Sequence, residues 1–381
     1  MMRPMKLAGS ELMFGKGCLE HLKTLKGSRA MIVMSGSILE KTGILGKVVA
    51  YLKEANIESM VFDEVEPEPS FTTVWKGAEA MKEYKPDLII ALGGGSPMDA
   101  AKAMWVCYEH PQINALADIL PPKPIPKLRE KARLVCIPST SGTASEVSRS
   151  VVITDEKTKI KHGIGDMEMM PDIAICDPEV TASMPPKITA ETGLDALTHA
   201  IEAYLSRRAN YISDVLAVQA VKDIFEYLPK VYNEGANLDY REKMLNASLI
   251  AGLAFTNVSL GIVHSMAHTL GSCFGVPHGL ADAVILPYII EYNSANTVAA
   301  DRYKALANEL GVEDFVAAIK ELNEKLNIPI GFSGVITDEE KYYAKLEDMA
   351  TLALNDGCTK TNPIIPSIED LIELFKKVYY V

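Results

Sequence analysis

Residues 87–104 read DLIIALGGGSPMDAAKAM. Residues 87–92 form a short apolar run of the kind that makes a buried strand. Gly93, Gly94 and Gly95 then turn the chain, and residues 100–104 continue as a helix. Ser96 suits the N-cap of that helix, Pro97 its first position, and Asp99 something close to the acidic partner of a capping box. Three glycines between strand and helix remove the side chains that would keep an anion away from backbone N–H groups, at the helix end where the dipole favours negative charge. The segment is a candidate diphosphate cradle. It is not the G-x-G-x-x-G fingerprint, and taken alone such a glycine run is as readily structural as ligand-binding.

The same alternation extends on both sides. Residues 29–35 (RAMIVMS), the neighbourhood of 60–62, residues 134–137 and residues 173–176 read as further strands. Residues 38–55 and 72–84 carry apolar side chains at helical spacing. Strand and helix in turn imply a mostly parallel sheet covered by helices. After Pro185-Pro186 the pattern changes to long helical periodicities, among them 214–228, 242–254 and 315–326. The expected organisation is therefore an α/β dinucleotide-binding domain over residues 1–185 and an all-helical domain over 186–381.

A chain of 381 residues exceeds what one core usually serves, which agrees with two domains. The net charge of −12 disfavours long-range attraction to polyphosphate, and no basic face is gathered in the sequence, so no nucleic-acid partner is expected. Six cysteines, Cys18, Cys107, Cys136, Cys176, Cys273 and Cys358, stand apart with no C-x-x-C, as isolated reduced thiols do. The N-terminal residues lack the apolar core of a signal peptide, and the expected location is the cytoplasm. Residues 244–281 contain no Asp, Glu, Lys or Arg, but Asn246, Asn257, His264, His268 and His278 within them argue for helices buried in protein and against a membrane span.

That uncharged background isolates the histidines. Asp195 and His199 lie four apart in GLDALTHAIEAYL and share one helix face; His264 and His268 repeat the spacing in GIVHSMAH. His278 follows at a break between apolar segments. One such pair is more often a core pair satisfied by backbone carbonyls, but two in one domain favour metal. A carboxylate with imidazoles and no thiolate suits Fe2+ or Zn2+. Five candidates exceed four ligands, so one of His264 and His268 is free to relay a proton. A phosphate cradle in one domain and a metal in the other suggest an interdomain cleft for a nucleotide and an oxygen-bearing substrate. Metal and nicotinamide together fit alcohol oxidation, the ion drawing out the alkoxide or polarising an aldehyde carbonyl.

The blocks GGGSPMDAAKA (93–103), IPSTSGTASEV (137–147), PDIAICDPEVTASMP (171–185), ETGLDALTHAIEAYLS (191–206) and GIVHSMAHTLGSCFGVPHGLADAVILP (261–287) resemble the iron-containing, group III alcohol dehydrogenases. The resemblance implies a dehydroquinate synthase-like architecture and a divalent metal held by Asp195, His199, His264 and His278. His268 matches the family's additional histidine near the nicotinamide and takes the catalytic role. Gly94, Gly95, Ser96, Thr140, Thr143 and Lys161 match cofactor-facing positions, and Asp99 belongs to the same loop. By themselves, the hydroxyls of residues 139–146 suit a helix cap and Lys161 a solvated surface.

One departure bears on the cofactor. Where NAD-preferring members carry an aspartate after the first strand, this chain has Gly36 followed by Ser37, so NADP(H) is expected over NAD(H), with Glu40 the nearest competing acid. A turn of the family's E-P-N-P kind appears as Glu66-Pro67-Glu68-Pro69. The expected activity is a metal-dependent, NAD(P)-linked alcohol dehydrogenase or aldehyde reductase acting on short-chain substrates, with Fe2+ or alternatively Zn2+, in a homo-oligomer for which a dimer is the default. The alternatives are a glycerol dehydrogenase-like or cyclase-like relative on the same fold, or a non-catalytic nucleotide-binding structural protein. A cyclase of phosphorylated substrates would want Lys and Arg beside the metal, and residues 244–281 offer none. A structural protein would close every coordination position.

Overall fold

The computed structural model describes residues 5–158 and 160–380. Among the described residues there are eight strands: β1 (Glu11–Phe14), β2 (Arg29–Val33), β3 (Glu58–Phe62), β4 (Leu88–Gly93), β5 (Arg133–Pro138), β6 (Ser150–Thr154), β7 (Lys161–Gly165) and β8 (Ile173–Cys176). Six form one parallel sheet in the order β1-β8-β5-β4-β2-β3, and β6 and β7 make a separate antiparallel pair. The five sheet strands expected from sequence are all there. The edge strand β1 and the β6–β7 pair went unread, because ELMF is short and KHGIG is polar and rich in glycine.

β4 is buried at every position, as a strand covered on both faces must be. The chain moves from β2 outward to β3 and then returns to place β4 on the other side of β2. The strand order therefore reverses between β2 and β4, and ligands of open α/β sheets bind outside the carboxyl ends of the strands at such a point. Here those ends lead into residues 34–37 and into the three glycines.

The helix after β4 spans Gly95–Glu109, with Gly94 as its N-cap and no side-chain cap. This corrects the expected capping box: Ser96 lies inside the first turn, and Asp99 turns its carboxylate to other partners. The expected single helix over residues 38–55 is two, Ile38–Lys41 and Ile44–Glu54, parted by Gly43 at φ 80°, a left-handed conformation that glycine enters at no steric cost.

From Pro186 onward every element among the described residues is helical. The chain divides into two compact units, residues 1–184 with 236–249, and residues 185–235 with 250–381. The first break falls between Met184 and Pro185, and residues 236–249, which the sequence reading placed in the helical domain, group with the first unit. One reason is Arg241, almost wholly buried, which donates to the carbonyl of Met184 at 2.7 Å. No single helix among the described residues is long and apolar enough to cross a membrane.

Candidate metal centre and nucleotide cradle

Helix Pro186–Leu205 starts with proline at its first position, where a missing N–H costs nothing. Asp195, His199 and Glu202 follow at i, i+4 and i+7 and lie on one buried face. Helix Ile262–Phe274 supplies His264 and ends at Gly275, whose φ of 68° reverses the chain. After Val276 and Pro277 the next helix, His278–Asn293, begins at His278 itself. The short turn brings the His278 ring to 5.3 Å from that of His264 and stacks it 5.2 Å from His268.

Donor atoms of Asp195, His264, His278 and Asp282 all lie within 4.8 Å of one another. His278 Nε2 stands 3.2 Å from Asp282 Oδ2, and His264 Nε2 is 3.7 Å from Asp195 Oδ1 and 3.9 Å from Asp282 Oδ2. Donors bonded to one ion at ~2.1 Å stand roughly 3.0–3.4 Å apart, so His278 Nε2 and Asp282 Oδ2 already have that spacing and the other donors close in around them. His199 is the predicted ligand outside the converging set. Its ring is clasped between Phe255, at 4.3 Å, and His264, at 4.5 Å, and its Nδ1 faces Asp195 Oδ1 at 3.4 Å. Asp282 joins the cluster without having been anticipated. The signal was present, since His278 and Asp282 repeat the i, i+4 spacing already noticed twice, at the residue that ends the charge-free run.

Burial opposes charge throughout the cluster, yet neighbours overrule it unevenly. Burial disfavours the Asp195 carboxylate, but His199, His264 and His278 hold it below the ordinary range. Burial disfavours the imidazolium of His264 as well, and Asp282 and Glu202 nevertheless raise it well above the usual histidine value. His278 is driven well down by desolvation and by the other imidazoles. Asp282, fully buried beside Asp195 and Glu202, is pushed well up. Asp195 Oδ1, His264 Nε2 and both oxygens of Asp282 are buried without a hydrogen-bond partner, an arrangement costing ~1–3 kcal/mol per group unless a ligand answers it. A divalent cation fits that donor set.

Two further carboxylates set the rings in place. Glu202 meets His264 Nδ1 at 2.6 Å and accepts from the N–H of Val263 at 2.8 Å, fixing the tautomer that leaves Nε2 free. Asp356 meets His268 Nδ1 at 2.9 Å and accepts from the N–H of Cys358 at 2.8 Å. Although burial raises the Asp356 carboxyl, His268 holds it below its ordinary range. Glu202 announces itself by helical spacing from Asp195, whereas nothing in the sequence around Asp356 points to His268.

The cradle belongs to the first unit. β4 and β5 run in register to Gly93 and Pro138, so Ser139 N–H donates to the Gly93 carbonyl at 2.8 Å and the two loops lie side by side. A Cβ on Gly94 would stand 3.3 Å from Thr140 Cγ2, and one on Gly95 would stand 3.0 Å from Thr143 Cγ2. The threonines thus lean over bare backbone that any other residue would cover. Asp99 accepts from Ser145 Oγ at 2.7 Å and from the N–H of Val152 at 2.8 Å, a supporting position behind the cradle. Lys102, wholly buried, donates to Ser145 Oγ and to the carbonyls of Ser148 and Ser150. Lys161 on β7 is not a solvated surface residue: its side chain is 8 % exposed and pairs with Glu68 at 2.6 Å. Glu68 has φ 58° and its N–H donates to Ser96 Oγ, so the Glu66-Pro67-Glu68-Pro69 turn is tied to the cradle. Beyond β2 and β3, a cavity of about 420 Å³ is lined by Gly36, Ser37, Glu40 and Asp63 among others. Sequence reasoning named three of these and missed Asp63.

Residues 9–178 match the iron-containing alcohol dehydrogenase family, and residues 189–379 match the C-terminal region of the Fe-containing alcohol dehydrogenase family. The chain is 45 % identical over 379 residues to an NADPH-dependent butanol dehydrogenase of Clostridium saccharobutylicum, covering 97 % of this chain and 96 % of that one. It is 40 % identical to aldehyde-alcohol dehydrogenase 2 of Entamoeba histolytica over 97 % of its own length, and spans 46 % of that longer protein. The solved iron-containing alcohol dehydrogenase of Thermococcus thioreducens superposes with a TM-score of 0.92 at 36 % identity, covering 99 % of both chains. This chain belongs to the iron-containing alcohol dehydrogenase family. It is an enzyme, a metal-dependent oxidoreductase of alcohols and aldehydes.

Proposed function

We propose that the chain interconverts short-chain alcohols and aldehydes with NADP(H) in preference to NAD(H), and with Fe2+ held by Asp195, His199, His264 and His278. The observation that carries this reading is the convergence of Asp195, His264 and the half-buried His278, with Asp195 Oδ1 and His264 Nε2 buried and lacking any hydrogen-bond partner. A metal bound there supplies Lewis acidity toward an alcohol or carbonyl oxygen. Imidazole and carboxylate donors without thiolate support iron. Glu202 orients His264. His268, aligned by Asp356, holds and passes the proton that alcohol and aldehyde exchange.

The diphosphate of the cofactor would rest on the N–H groups of Gly94, Gly95 and Ser96 beneath Thr140 and Thr143, with Lys161 adding a cation beside them. Gly36, at φ 61° with nothing within 4 Å of a Cβ, leaves space for a 2′-phosphate, and the Ser37 hydroxyl is a donor to it. The NADPH dependence of the Clostridium relative supports the same preference. Glu40 and Asp63 in that cavity oppose it by repulsion, exposed and screened. Six free thiols suit the cytoplasm, and a homodimer is the proposed assembly.

The test is anaerobic purification with metal analysis, then oxidation of NADPH and NADH across aldehydes of two to six carbons, with His264→Ala as control. A higher kcat/KM for NADPH and loss of turnover in the variant are expected. Equal turnover in His264→Ala would remove the metal from the mechanism, and a higher kcat/KM for NADH would overturn the cofactor preference.

A further inference from the structure

Asp282 does not belong to the ligand set proposed above, and the polar groups it faces are the imidazoles of His264 and His278 and the carboxylate of Asp195. It sits one turn beyond His278 on the same helix face, and its side chain is wholly buried. Both of its oxygens lack a hydrogen-bond partner, although a carboxylate normally accepts several. One oxygen lies 3.2 Å from His278 Nε2 and 3.9 Å from His264 Nε2, the nitrogens that Glu202 and the turn at Gly275 direct to the centre. Residues 244–281 contribute no lysine or arginine to neutralise it. An isolated buried carboxylate costs several kcal/mol unless it is paired or bound to metal.

We propose that Asp282 is a further protein ligand of the divalent ion, giving two carboxylates and two imidazoles from the converging set, with His199, whose Nδ1 stands 3.4 Å from Asp195 Oδ1, as the third imidazole of the ligand set proposed above. The inference rests on the metal reading above and extends it. Asp195 and Asp282 together carry two negative charges, which balance the charge of the ion inside an uncharged interior. Five protein donors leave one position of an octahedron for a substrate oxygen, whereas a tetrahedral ion would already be saturated. The site is thereby specified for Fe2+, Mn2+ or Co2+ over Zn2+, which prefers four ligands and softer donors.

The experiment uses the full chain stripped of metal and titrated with Co2+ against a chromophoric chelator, because the visible absorption of Co2+ is weak in five- or six-coordination and intense in four. The wild type should bind one ion with a weak spectrum. Asp282→Asn should lose on the order of ten- to a hundred-fold in affinity and gain absorbance, while Asp282→Glu should keep most of both. An intense four-coordinate spectrum in the wild type overturns the proposal without recourse to any variant. Wild-type affinity and spectrum in Asp282→Asn overturn it too, leaving the carboxyl a protonated neighbour of Asp195 and the metal reading intact. If the wild type binds no ion and His264→Ala behaves identically, the metal reading itself fails, and the proposal with it.

Discussion

Gly279 sits between a ligand helix and the backbone of another, and replacing it with alanine should pull the centre apart. A Cβ there would stand 2.7 Å from the carbonyl carbon of Glu191, with the oxygen nearer still, and 3.4 Å from the Cβ of Asp195. Ordinary contact begins at 3.4 Å, so the helices Pro186–Leu205 and His278–Asn293 must separate by at least about 0.7 Å at that point. The clash is with backbone, which has no rotamer to yield. Overpacking of this kind costs ~1–3 kcal/mol. The same displacement exceeds the ~0.2 Å tolerance of metal–ligand distances, because Asp195 rides on one helix and His278 on the other. Gly279→Ala should therefore lower the urea midpoint of the metal-free protein by that free energy and weaken metal binding at least about tenfold, ~1.4 kcal/mol. Gly275→Ala is the control. It lies at φ 68° with open space around a Cβ, so it costs ~1–2 kcal/mol of backbone strain without pressing on the ligands. Measuring stability on metal-free protein keeps binding out of the unfolding curve. Wild-type metal affinity in Gly279→Ala, or an equal loss in Gly275→Ala, would refute the reasoning.

Glu202→Gln should weaken metal binding on the order of ten- to a hundred-fold, read by chelator competition, since it removes the partner that fixes His264 Nδ1. Asp356 is held below its ordinary range, so it adds stability at neutral pH that disappears as pH falls below the unfolded value of about 3.9 and through the native one. Asp356→Asn should cost ~1–3 kcal/mol at pH 7 and progressively less below about pH 4, followed by urea unfolding across pH. Lys102→Met should destabilise the first unit by roughly 1–3 kcal/mol, because it removes the buried donor that serves Ser145 Oγ and the carbonyls of Ser148 and Ser150. Gly36→Asp should reverse the preference for NADPH over NADH by at least about tenfold in kcat/KM, the new carboxylate repelling the 2′-phosphate.

The central strands and the metal face were legible because both write themselves as local periodicities. β4 is apolar throughout and ends in glycine; Asp195/His199 and His264/His268 stand at a helical spacing that one sequence is enough to show. Asp282 obeys the same spacing from His278, but it stands one residue beyond the uncharged run that sets the histidines apart. The Glu68–Lys161 pair joins residues 93 positions apart, and the His268–Asp356 pair residues 88 apart. Contacts of that range depend on how loops return, which no local pattern encodes. The false capping box is a different failure. Ser96-Pro97 has the right composition for a helix start, but with β4 in parallel register to Gly93 the chain enters the helix two residues sooner, at Gly95.

The buried ammonium of Lys102 clamps the start of the Gly95–Glu109 helix to the segment that descends from Thr143. With Asp99 bonded to Ser145 and Val152 as well, the two walls of the proposed phosphate seat are fastened before any nucleotide would arrive. The conformational entropy of shaping that seat is lost during folding, so the arriving cofactor meets a preorganised surface and spends little of its binding free energy on ordering loops.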